Sequence, residues 1–70
     1  MATLREKFGK RIKELRKKQG LTQEKLAELA MIDYSYLNLT EGGKRNPSLK
    51  RIGKLARVLK ISLSELFRFK

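Results

Sequence analysis

The sequence predicts an all-α fold, a compact bundle of five short helices. Three observations predict it. Apolar residues recur three and four apart wherever they form a pattern. Thr, Asp or Ser stands just before each such run, where helices take their N-caps. The one stretch with strand-like alternation, "DYSYLNLT", has no second strand to pair with, and is read as helix.

Taken in order, Leu4, Phe8, Ile12 and Leu15 mark one face of a helix over 4–18. Thr3, with Glu6 three residues later, makes a capping box at its start, and Gly20 ends it near Gln19. Thr22 caps a second helix over 23–30, with Leu26, Leu29 and Ala30 as its apolar face. Asp33 caps a third over 34–41, with Leu37 and Thr40 inward, stopped before Gly42-Gly43. Pro47-Ser48 opens a fourth, on which Leu49, Ile52, Leu55, Ala56 and Leu59 face in. Ser62 and Glu65 form a second capping box ahead of Leu66 and Phe67. With no linker, repeat or low-complexity segment, residues 1–70 are expected to be a single domain.

Composition narrows the chemistry. The chain has neither cysteine nor histidine, so disulfides, thiolate metal sites and the commonest general base are all excluded. No phosphate-cradling glycine loop or paired carboxylates stand in their place, and Ser35 has no base to activate it. An enzyme is therefore not expected, and neither is a metal, a cofactor or a small-molecule ligand. No apolar run approaches the ~20 residues that span a bilayer, and the start "MATLREKFGKR" lacks a signal-peptide core. A cytoplasmic protein is expected, with no membrane partner.

Charge points to the partner. Lys and Arg number 18 against 7 Asp and Glu, a formal net charge of +11. The bases are clustered over 5–18 and again over 44–60, the footprint of a polyanion binder. Between them, "TQEKLAELAMIDYSYLNLTEGG" holds four acids and one base. Its two short helices, joined by about three residues, have the layout of a helix-turn-helix, and Ala27 lets them cross closely. A helix that reads bases in the major groove needs uncharged hydrogen-bonding side chains more than positive charge. Tyr34, Ser35 and Asn38, with apolar Leu39, supply them on the outward face. The basic flanks then position the phosphates while the middle specifies the sequence. The amides beside the Thr22 cap are placed to approach a phosphate, as helix N-termini do.

"GLTQEKLAELA", the Asp33 cap and "EGGKRNPSLKRIGKLARVLKISLSELF" together resemble the phage-repressor (Cro/XRE-type) helix-turn-helix family, over nearly the whole chain. The resemblance implies a lambda-repressor-like bundle that binds duplex DNA sequence-specifically as a homodimer, on a palindromic operator, and regulates transcription in a prokaryote or phage. It also implies that Gln23 contacts a phosphate and buttresses the recognition helix, that Lys44, Arg45 and Asn46 clamp the DNA backbone, and that Arg16 pairs with Glu41. The last helix and the residues after it, with Leu63, Phe67 and Phe69, supply the candidate dimer contact; of these Phe67 is expected nearer the core, and Phe69 at the interface or at a frayed end. Three residues depart from the family pattern. Met31 occupies a turn position usually held by glycine, Thr40 replaces a buried aliphatic, and Leu39 lies where a polar base reader is common. A rival reading is an antitoxin or adaptor that uses the same fold to hold another protein; a second is charge-driven binding without sequence preference.

Overall fold

The computed structural model describes residues 2–69. Five helices succeed one another: α1 Leu4–Lys18, α2 Gln23–Ala30, α3 Tyr34–Glu41, α4 Leu49–Leu59 and α5 Leu63–Leu66. No strand occurs among the described residues. Each start is explained by its cap. The side chains of Thr3, Thr22, Asp33, Ser48 and Ser62 all accept a backbone N–H from the residue three positions on. Such a cap satisfies an amide that the helix leaves without a partner and is worth about 1 kcal/mol. At α1 the box is reciprocal, because the Thr3 amide donates to Glu6 Oε1 at 2.7 Å. At α5 it is not. Glu65 turns its carboxylate away from the cap to meet Arg11 at 3.2 Å and Arg68 at 3.7 Å.

The ends of α2, α3 and α4 are built on left-handed residues. Gly43 has φ +73°, and its N–H donates to Thr40 O while that of Lys44 donates to Leu39 O, closing α3 in a Schellman turn. Met31 closes α2 in the same way at φ 57° and ψ 45°, and Lys60 closes α4 at φ 57°. In both, a non-glycine residue holds a conformation that crowds its β-carbon.

The core takes Phe8, Ile12 and Leu15 from α1, Leu26, Ala27 and Ala30 from α2, Leu37 from α3, Ile52, Leu55, Ala56 and Leu59 from α4, and Leu66 from α5. α1 and α2 both pack on α3, α4 packs on α2, and α5 on α4. Three residues expected inward lie outside. Leu4 is 69% exposed, Leu29 43% and Leu49 87%. Leu4 and Leu49 are the first residues of their helices. Leu49 also sits about 70° round the axis from the centre of the buried face of α4. On α2 the buried stripe is Leu26, Ala27 and Ala30, and Leu29 falls to its edge.

Two polar ties complete the frame. The Arg11 guanidinium donates to Glu65 O at 2.8 Å, fastening α5 to α1. Gln19 Nε2 donates to Leu59 O at 2.6 Å, fastening the end of α1 to the end of α4. Gly9 is buried where α1 crosses α3, and a β-carbon there would lie 2.7 Å from Glu41 O and closer still to Thr40 O. The absent side chain is what lets the two helices meet.

Candidate nucleic-acid interface

α2, the turn Met31-Ile32-Asp33 and α3 form the helix-turn-helix. Leu37 and Thr40 face the core at 0% and 1% exposure, which fixes the rotation of α3. The Thr40 hydroxyl, buried in place of an aliphatic, donates to Tyr36 O one turn back at 2.8 Å and so leaves no unpaired donor. With that face inward, Tyr34, Ser35 and Asn38 are exposed and Leu39 is half-buried. The outward surface of α3 is therefore uncharged and hydrogen-bonding, with one apolar flank.

Arg16 and Glu41 meet beneath it. Arg16 Nε donates to Glu41 Oε2 at 2.7 Å and Nη2 to Oε1 at 3.0 Å, a bidentate pair with both residues buried. Arg16 Nη1 donates to Leu21 O at 2.8 Å, so the guanidinium is fixed on both sides. Gln23 joins the pair, its Nε2 donating to Glu41 Oε1 at 2.9 Å and its Oε1 accepting from Asn38 Nδ2 at 3.1 Å. Thr22 is exposed at the cap next to it. A cleft of about 250 Å³ opens here, bordered by Gln23, Asn38, Lys44 and, from α1, Lys13.

Lys44, Arg45 and Asn46 are exposed in the loop after α3. Tyr36 is half-buried at the edge of this loop. Its ring lies 5.4 Å from the Arg45 guanidinium and 4.2 Å from that of Arg51, and its hydroxyl accepts from the Ser48 amide at 3.2 Å. Tyr36 thus holds two cations and the start of α4 in place. That role has no sequence signal, since the three residues meet only after the loop has folded back. Lys13 was likewise hidden, one base among many on α1.

A helix-turn-helix family profile matches residues 12–66, which contain every element from mid-α1 through α5. The chain belongs to the helix-turn-helix family. Its affinities are of the phage-repressor (Cro/XRE) type. It is 43% identical over 68 residues to control protein C.MunI from Mycoplasma sp, covering 96% of this chain and 92% of that protein. It is 41% identical to the regulator PuuR from Escherichia coli over 59 residues, 84% of this chain but only 32% of PuuR, so it spans about a third of that relative. Among solved structures, the restriction-modification controller protein C.AhdI from Aeromonas hydrophila superposes with a TM-score of 0.86 at 50% identity, over 89% of this chain and 94% of that one. SinR, the master regulator for biofilm formation, solved in complex with DNA, superposes with a TM-score of 0.81 at 38% identity, over 84% and 95%.

Within the helix-turn-helix, Tyr34, Ser35, Asn38 and Leu39 lie along α3, while Gln23, Lys44, Arg45 and Asn46 border it on two sides. The dimer candidates lie elsewhere. Phe67, expected nearer the core, is 41% exposed and stacks on Phe8 with centroids 5.1 Å apart. Phe69, expected at the interface, is half-buried against the core and 6.2 Å from Phe67. Leu63 is 55% exposed. No described helix is long and apolar enough to cross a membrane.

Proposed function

We propose that this chain regulates transcription by binding duplex DNA sequence-specifically, with α3 in the major groove. Tyr34, Ser35, Asn38 and Leu39 meet base edges. Gln23, Lys44, Arg45 and Asn46, with the amides beside Thr22, meet phosphates. The observation that carries this reading is the uncharged face of α3, exposed between two basic flanks and held in place by the buried Arg16–Glu41 pair. The protein acts as a homodimer on a two-fold operator, through a surface that includes Leu63 and Phe67 and is backed by Phe69.

The relatives that match over nearly their full length refine the role. C.MunI is a control protein and C.AhdI a restriction-modification controller. By that likeness we assign the chain to control of a restriction-modification gene pair. Selection from a random duplex pool at near-physiological salt tests the reading. A two-fold symmetric consensus, recurring upstream of such a pair, is the expected result. Enrichment of no sequence, together with tight capture of a single protein, would replace it with the adaptor reading.

A further inference from the structure

We propose that Gln23 is a positioning residue that decides which base Asn38 reads, and that this base is adenine. The proposal rests on the DNA reading above and deepens it.

Polarity runs through this network in one direction. A carboxylate paired with a guanidinium offers only acceptors. Glu41 Oε1 therefore compels Gln23 to turn its Nε2 inward, at 2.9 Å, since the reverse orientation would set two acceptors face to face. Turning Nε2 inward sends Gln23 Oε1 outward, where it meets only a donor, and Asn38 supplies Nδ2 at 3.1 Å. Each amide's orientation is thus dictated by the one beneath it, starting from an arginine that is 7% exposed and ending at an exposed asparagine. Asn38 has one N–H spent on Gln23. It presents to the groove one remaining N–H and Oδ1, whose side chain bonds no other described group.

One donor beside one acceptor is the complement of adenine, which shows N7 as acceptor and its N6 amine as donor. Guanine shows two acceptors, O6 and N7, and would need both N–H groups of Asn38. Cytosine offers only a donor and thymine only an acceptor with a methyl group. The buried ion pair thereby selects against guanine at a position it never touches. If Gln23 served only as a phosphate contact, its loss would weaken every sequence by one factor. As a positioning residue, its loss changes the ratio between sequences.

The test compares wild type, Gln23→Ala, Gln23→Met (which keeps the bulk), Asn38→Ala and the Gln23→Ala/Asn38→Ala double variant on the selected duplex. The Asn38 position is the one whose preference Asn38→Ala flattens. There, replacing adenine by guanine or by 7-deazaadenine should cost wild type about tenfold, and both Gln23 variants should shrink that ratio to about threefold or less. Preferences elsewhere should stay, and the double variant should discriminate no worse there than Asn38→Ala. A common loss on all duplexes with the adenine ratio intact overturns the proposal, as does any preferred base other than adenine. NMR of the Asn38 side-chain amide in the free protein separates the two levels. A consensus site together with an Asn38 amide equally mobile in wild type and Gln23→Ala sinks the relay alone. An amide held in wild type and released in Gln23→Ala, with no consensus site, sinks the DNA reading and the base assignment with it.

Discussion

At Met31 a β-carbon occupies backbone space that glycine enters freely, and 76% of the residue is exposed. Removing the side chain therefore relieves strain and forfeits little packing. Met31→Gly is expected to stabilise the fold by about 1 kcal/mol, read as a raised melting temperature; a lowered one would contradict the strain argument. Gly9 has the opposite sign. Helix propensity alone favours alanine there by about 1 kcal/mol. The carbonyls of Thr40 and Glu41 block the new carbon, so Gly9→Ala should instead destabilise by about 1–3 kcal/mol in denaturant titration. Met31 was legible in the sequence because a turn conformation is a local property. Gly9 was not, because what it accommodates lies some thirty residues away on another helix.

Helix limits were legible for the same reason. Caps and left-handed closures act within a few residues, and all five starts follow from Thr, Asp or Ser at the cap. Which apolar residue of a helix stays outside depends on how the other helices pack around it, which spacing alone does not give, and Leu4, Leu29 and Leu49 were misplaced on that account. The α1 cap has a pH signature. Hydrogen bonding from Thr3, through its backbone first and its side chain second, holds the Glu6 carboxyl below its ordinary 4.5. A group whose pKa falls on folding stabilises above its unfolded value and loses that contribution as pH drops through the folded one. Melting temperature should decline on acidification below that range, and Glu6→Gln should flatten the decline. For α3 and its loop, Asn38→Ala should relax base preference at one position of each half-site. Lys44→Ala should weaken all sites alike and reduce the salt slope by about 1 for each half-site bound. Both are read by titrating cognate and scrambled duplexes at several salt concentrations.

For the whole molecule, charge and neutrality are divided by sequence position, and the fold brings them together at one cleft, where Lys13 and Lys44 border the uncharged face of α3. With a net charge of +11, affinity for any duplex should fall steeply with salt. Discrimination among duplexes should change much less, because the residues assigned to bases carry no charge. The dimer surface was the least legible part: Phe67 is 41% exposed although it stacks on Phe8, and Phe69 is half-buried against the core. Phe67→Ser is expected to lower affinity for a two-half-site operator far more than for a single half-site, with mass measured in parallel by light scattering. α1 also unites what the other helices divide. Gly9 seats the end of α3, Arg16 grips Glu41, and Arg11 fastens Glu65 of α5. One helix is the chassis for both the reading head and the end proposed to meet a second copy. The homodimer proposed above would be a ruler as well as a reader: inserting one base pair between half-sites turns the second by about 35°, a turn that two reading heads each tied through α1 to the shared contact would resist.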